Sequence, residues 1–315
     1  MSLLRYATTA FCVAIAVATL CFAALQVVPG DPAMRIAEAK FGADGMSFRT
    51  ADELREAAGL NEPVIRQYAS WIARTLTGDF GISLVSGQAV LPLVAERLQL
   101  TLLVGLVGIA VTIIISVPLG VAAGLRPNGW LDHSVSALST LLASAPAFLV
   151  AILLVSLFAV NLQWLPVAGL RSPQGIVLPA LTLGFIHCPE LSRVVRNSVA
   201  RTGQSFFVTF ARLKGRSWSR IALGHALRPA LLPVVAYFGV LVTGVVEGFV
   251  VIETVFNLPG IGKLLVDALI ARDLPVVLGA VTIIGLGIVA VHAMTELLAN
   301  LVDPRTVDSQ ASTTS

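Results

Sequence analysis

Apolar residues come in six long runs, separated by stretches where charge, glycine and proline return. The runs cover approximately residues 7–28, 98–125, 134–160, 176–195, 230–256 and 276–301. A helix of about 20 apolar residues crosses the roughly 30 Å hydrocarbon layer of a bilayer, and a helix satisfies its own backbone hydrogen bonds there. Each run therefore predicts a spanning helix, and the expected fold class is an all-α membrane protein with six transmembrane helices. The first run is too long for the apolar part of a cleaved signal peptide, which extends over about 7–15 residues. Cys21 follows Leu20, where a lipid-modified cysteine needs a small residue, so this run is expected to remain as an uncleaved helix.

The interruptions define the domains. Residues 1–28 are the first helix, and residues 29–97 form an extramembrane domain with its own helical patterns between helices 1 and 2. Residues 98–305 form a five-helix core that contains a basic, water-facing stretch at 199–228, and residues 306–315 are a polar tail. Only 12% of residues are charged and the mean hydropathy is +0.87, which excludes an ordinary soluble globule, where charged residues run near a quarter. The formal charge of +3 is too small to suggest a nucleic-acid partner. Sidedness accounts for it better. With six spans, Arg5, Arg126, Arg193, Arg196, Arg201, Arg212, Lys214, Arg216, Arg220, Arg228 and Arg305 fall on one side. The short loops opposite hold only Arg171, Lys263 and Arg272. By the positive-inside rule both termini and the basic stretch face the cytoplasm, and residues 29–97 face outward.

Within that stretch, residues 205–233 read as a short helix ending at Gly215, a turn, and a second helix beginning near Ser217. Glycine suits the left-handed position after a helix, Lys214 suits the negative end of the helix dipole, and serine caps the next N-terminus. The stretch resembles the cytoplasmic EAA coupling loop of ABC-importer permeases, specifically the dipeptide, oligopeptide and nickel branch. Ala211, Arg212, Lys214, Gly215 and the Leu232-Pro233 pair fit that pattern. Phe206-Phe207 replaces the acidic-aromatic pair of the family, and Phe210 replaces a small polar residue. Further phrases extend the resemblance over nearly the whole chain: VVPGDPA (27–33), SAPAFLVAILL (144–154), LPALTLG (178–184), VVIETVFNLPGIGKLLVDAL (250–269) and LVDPR (301–305).

The resemblance implies a type I ABC importer permease in the cytoplasmic (inner) membrane, similar to the B subunits of dipeptide and oligopeptide systems. It implies a second homologous permease, two cytoplasmic ATPase subunits that bind ATP and Mg, an external solute-binding protein, and no cofactor or catalysis in this chain. The ATPase-coupling set would be Phe206, Phe207, Phe210, Ala211, Arg212, Lys214, Gly215 and Ser217. Di- and oligopeptides are the expected solutes, with nickel or a metal chelate as the alternative.

Other motifs fall away. Around Gly262-Lys263, Asn257 and Leu264 stand where a phosphate loop needs glycine and serine or threonine. Gly285 and Gly287 lie inside an apolar helix with no preceding strand, so they do not form a dinucleotide fingerprint. His187 and Cys188 are adjacent, hence about 100° apart on a helix, and make no metal site. The three cysteines are expected to be buried small hydrophobes. Pro189 and Glu190 are expected to interrupt the fourth helix. An intramembrane enzyme would need a nucleophile–base pair or paired carboxylates, and an ion-coupled transporter an internal repeat. Neither is visible. Glycines at 120/124 and 244/248 read as helix-packing pairs. The fifth helix also carries Thr243 and Glu247, and an ionisable group at membrane depth faces a polar interior. Ser144, Pro146, Thr243, Gly244 and Glu247 are therefore the candidate translocation path. Replacing Gly215 by valine, which resists the left-handed conformation, is expected to abolish solute uptake while membrane insertion, followed by fractionation, persists.

Overall fold

The computed structural model describes residues 3–42, 48–167, 169, 173–214 and 227–302. The described residues are helical apart from turns and one isolated bridge, Ile82 to Ala89. Among the described residues, four helical segments are long and apolar enough to cross a membrane: Val90–Leu125, Pro173–Gly203, Pro233–Val255 and Leu274–Leu297. Two bent pairs bring the count to as many as six, Phe11–Val27 with Pro32–Phe41 at 95° and Trp130–Ser144 with Ala147–Asn161 at 105°. The chain divides into two compact units, and the division falls within residues 90–125 and again within 274–302.

The first unit joins residues 1–102 with 259–290. Its helices are α1 (Leu3–Val27), α2 (Pro32–Phe41), α3 (Phe48–Ala57), α4 (Val64–Leu76), the start of α5 (Val90–Leu125), α11 (Ile261–Ala271) and the start of α12 (Leu274–Val302). Asp31 ends the turn after α1 and caps α2: its carboxylate accepts from the Ala33 amide at 3.0 Å, and Pro32 pre-sets the first turn. The same carboxylate, with Asp52, pairs with Arg55 and ties α3 to the start of α2. On α4, Tyr68 and Trp71 pack with Phe22 and Ala18 of α1 and with Leu278 of α12, and the Tyr68 hydroxyl lies 2.8 Å from Thr19 Oγ1.

The sequence places the second apolar helix from residue 98, but α5 begins at Val90. Its first two turns carry the charged Glu96 and Arg97, which disguise them, yet Val90, Leu93 and Val94 are buried against Ile261, Ala268, Val276 and Val277. Pro92 is harmless there because first-turn amides have no helical acceptor.

Two adjacent residues at the α11–α12 corner hold the rest of this unit together. Arg272 adopts φ 56° and ψ 34°, and its guanidinium donates to the carbonyls of Val28, Pro29 and Gly30. Asp273 is buried and accepts from Ser83 Oγ at 2.5 Å and from the amides of Leu84 and Val85 at 3.2 and 3.3 Å.

The second unit, residues 103–258 and 291–315, contains the rest of α5 and α12, α6 (Trp130–Ser144), α7 (Ala147–Leu154, continued as a π-helical turn over Val155–Asn161), α8 (Val177–Gly203), α9 (Phe206–Leu213) and α10 (Leu227–Val255). The run at 134–160 is therefore two helices and not one. Ala145 at ψ 128° and Pro146 at ψ 145° are both extended, as the clash of a proline ring with its predecessor requires, and the chain turns there. In α8 the expectation fails in the other direction: the helix runs unbroken through Pro189 to Gly203. Of the cysteines only Cys188 is buried, while Cys21 is half-buried and Cys12 exposed.

α8 is the packing centre of this unit, with α6, α7 and α10 against it. Glycines set the approach. A Cβ on Gly120 or Gly124 of α5 would stand 2.7 Å from the Ser192 or Arg196 carbonyl, and one on Gly244 of α10 would stand 2.8 Å from the His187 ring. Changing Gly120 or Gly124 to valine is expected to force α5 off the α8 backbone and cost about 2 kcal/mol. Unfolding midpoints in detergent would fall for both, whereas Gly287→Val, where nothing lies within 4 Å, would leave the midpoint near wild type.

Candidate functional site

Two features of the second unit bear on function. The first is α9, which follows α8 after a tight turn in which the Ser205 hydroxyl donates to the Thr202 carbonyl at 2.5 Å. Val208 is buried, while Phe206 is 84% exposed, Leu213 82% exposed and Phe210 exposed. Spacings of four and three residues put Phe206, Phe210 and Leu213 on one stripe of the helix. The two phenyl rings stack with centroids 6.3 Å apart, and Lys214 Nζ lies 4.5 Å from the Phe210 centroid, a cation over a ring face. Phe207, Ala211 and Arg212 belong to the same helix, and Gly215 and Ser217 lie outside the described residues. The structure thus brings most of the sequence-predicted coupling set onto one short helix, and its described surface is an apolar, aromatic ridge edged by one ammonium.

The preceding helix, α8, is tied to α6 by an ion pair that the sequence reading missed. Asp132, at the start of α6 and 4% exposed, accepts from Arg196 Nε at 2.9 Å and from its terminal nitrogen at 2.5 Å. The Asn128 amide donates to the same carboxylate at 2.9 Å, closing the α5–α6 turn. Counting Arg196 only as a cytoplasmic charge obscured this; an aspartate in the first turn of a predicted helix is the signal that could have found it.

The second feature is a polar face on α10. Gly239 and Thr243 meet α12, where Thr243 Oγ1 lies 3.0 Å from His292 Nε2. Gly244 and Gly248 meet α8 at His187 and Leu183, so these two glycines serve helix contact directly. Glu247 is exposed. Ser144 and Pro146 stand apart at the α6–α7 corner, both exposed, and the Ser144 hydroxyl is spent on the Leu141 carbonyl at 2.8 Å. His187, Glu190 and Tyr237, which sequence reasoning did not select, lie along the α8–α10 contact: the His187 ring packs at Gly244, and the Tyr237 hydroxyl donates to Glu190. Glu190 carried the same signal as Glu247, a carboxylate inside an apolar run. Among the described residues no group of three metal-binding side chains occurs.

The described residues are helical with several segments able to cross a membrane, and the comparisons with known proteins agree with a membrane component. Residues 116–308 match the family described as binding-protein-dependent transport system inner membrane component. The chain is 36% identical over 311 residues, 96% of its own length and 98% of the relative's, to a chain of Brucella abortus (strain 2308) that is provisionally named a peptide transport system permease protein. It is 32% identical over 297 residues, 91% of its length and 92% of the relative's, to the oligopeptide transport system permease protein AppB of Bacillus subtilis (strain 168). The chain belongs to this family: it is an inner-membrane permease component of an ABC transport system.

Replacing Asp132 by asparagine, which leaves the Arg196 guanidinium without its charged partner, is expected to cost about 2–3 kcal/mol. Arg196→Lys keeps the charge but loses the two-pronged contact and should fall between that variant and wild type in thermal unfolding.

Proposed function

We propose that this chain is one half of the pore of a type I importer for di- or oligopeptides. The chain crosses the inner membrane six times with both termini in the cytoplasm, α1 supplying the first span and the bent α6–α7 pair the third. Residues 29–97 are the external domain, facing the solute-binding protein, and 98–305 the permease core. The stretch 199–228 is the cytoplasmic coupling loop, and 306–315 a polar tail. The partners are a second homologous permease and two ATPase subunits, which bind ATP and Mg; this chain holds no cofactor and turns over no substrate. Peptide is favoured over nickel because both relatives compared are named for peptide transport.

The observation that carries the coupling role is the exposed ridge of Phe206, Phe210 and Leu213. Water-exposed aromatic rings on a short helix gain free energy from a socket that covers them, at roughly 25 cal/mol per Å² of apolar surface. The socket in the ATPase is accordingly apolar, matched by an acidic group for Lys214 and by contacts to Phe207, Ala211, Arg212, Gly215 and Ser217. Thr243, Gly244 and Glu247, with Ser144 and Pro146 at the α6–α7 corner, line the path for solute. A carboxylate at the depth of Glu247 is unfavourable against lipid, which supports a polar, water-accessible surface on that face.

Substituting Phe206 and Phe210 together by serine is expected to abolish co-isolation of the ATPase subunits and to reduce uptake at least tenfold, while the permease still reaches the membrane. Retention of the ATPases at wild-type yield, or uptake that survives ATP depletion with the ion gradient intact, would overturn the coupling role.

A further inference from the structure

No residue of α4 (Val64–Leu76) is buried, yet its sequence is amphipathic. At about 100° per residue, Ile65, Ala69, Ile72 and Leu76 fall within one strip about 60° wide, and Gln67, Ser70 and Arg74 fall within another directly opposite. Ile65 is 82% exposed and Leu76 60%. Tyr68 and Trp71 lie on the flank between the two strips, and that flank seats the helix on α1 and α12.

The seat fixes the depth of α4. Tyr68 packs on Phe22 with ring centroids 5.3 Å apart, and its hydroxyl meets Thr19. Phe22 and Thr19 lie five and eight residues before the end of α1 at Val27, about 7.5 and 12 Å along the helix. Trp71 packs against the cluster at Leu278, four residues or about 6 Å into α12. α4 therefore lies beside the ends of two apolar helices and not beyond them. A helix lying in a bilayer surface sinks about 5–10 Å into the boundary between headgroups and acyl chains, the level at which tyrosine and tryptophan collect. On the other side, Gln67, Ser70 and Arg74 line a cavity of about 990 Å³ together with Asp79, Ile82 and Leu84. Asp273 holds that loop at the α11–α12 corner through Ser83 and Leu84. The polar strip thus faces the extramembrane loop, and the apolar strip faces away from it.

A strip of this kind is poorly covered by water, and a solute-binding protein would cover it only while docked. α1 itself presents Leu20 and Val27 at the same level, 69% and 83% exposed, where a spanning helix meets acyl chains. We infer that α4 lies in the outer leaflet of the membrane, with Ile65, Ala69, Ile72 and Leu76 among the acyl chains and Arg74 at the level of the headgroup phosphates. The inference rests on the six-span reading, which sends α1 outward. It leaves the rest of residues 29–97 for the solute-binding protein.

The test places one nitroxide label at a time in the assembled transporter, in vesicles of phosphatidylethanolamine and phosphatidylglycerol, on a chain whose Cys12, Cys21 and Cys188 are replaced by alanine. Collisions with oxygen, which concentrates among acyl chains, are compared with collisions with a water-soluble nickel chelate. Labels at Ile65→Cys, Ala69→Cys and Leu76→Cys are expected to give an oxygen-to-nickel ratio several times that of Ser70→Cys and Arg74→Cys, with no binding protein present. Equal ratios on the two strips would put water around the helix and overturn the leaflet assignment. Loss of both kinds of collision at Ile65→Cys and Leu76→Cys, whether constant or only on adding binding protein, would put protein on the strip and overturn it too. On the unmodified chain, a phospholipid with a diazirine on its acyl chain is expected to crosslink within residues 65–76. Crosslinking to α1 with none in α4 would overturn the assignment without any substitution. In right-side-out vesicles, Arg74→Cys is expected to react with a membrane-impermeant maleimide added outside. Reaction confined to the inside would overturn the six-span orientation, whereas the collision ratios read lipid contact irrespective of side.

Discussion

Close approach of helix backbones to α8 is the constraint on which the second unit depends. In lipid, apolar side chains gain little by leaving one hydrocarbon environment for another, so helices associate through contact area and hydrogen bonds. Glycine makes that contact possible. Gly120 and Gly124 let α5 lie against the carbonyls of Ser192 and Arg196, Gly108 and Gly248 admit Leu183, and Gly244 admits the His187 ring. Once the backbones are this near, Ser116 Oγ reaches the Cys188 carbonyl at 3.2 Å, a contact that a larger residue on either helix would prevent.

Three charged side chains anchor places where the chain leaves the regular helices. Asp132 closes the α5–α6 turn onto Arg196, and in the other unit Asp273 gathers the amides of the 83–85 turn while Arg272 gathers the carbonyls after α1. Asp273 and Arg272 each satisfy several backbone groups at once, and Asp132 satisfies one amide together with the Arg196 guanidinium. That is a favourable use of buried charge, because a carboxylate accepting several hydrogen bonds recovers most of what it loses on leaving water.

What was legible in the sequence followed from how each signal is encoded. Long apolar runs mark spans because length and hydropathy alone decide them, and the EAA-like pattern is local, so α9 could be read directly. Breaks and extensions depend on what is opposite. Val90, Leu93 and Val94 are a two-turn amphipathic stretch whose apolar partners, Ile261 and Val276, lie more than 160 residues away in sequence. The turn at Ala145-Pro146 was in reach of local rules, since proline disfavours helix at the residue before it, yet the apolar run around it masked the signal. Pro189 shows the converse: packed on all sides in α8, it leaves the helix unbroken. The polar side chains along α8 and α10 were half legible. Glu247 declared itself as a carboxylate in an apolar run, but the match with His187 and Glu190 needed the antiparallel register of two helices.

That register gives α10 three distinct duties around its circumference. At about 100° per residue, Gly244 and Gly248 fall on one strip, Gly239 and Thr243 on another about 100° or more away, and Glu247 between them. The first strip is closed by α8, the second meets His292 and Thr295 of α12, and the strip between stays open. A helix seated on both sides cannot roll without breaking the glycine contact with His187 or the Thr243 contact with His292. Any displacement of α10 is therefore shared with the helices that seat it, α8 and α12.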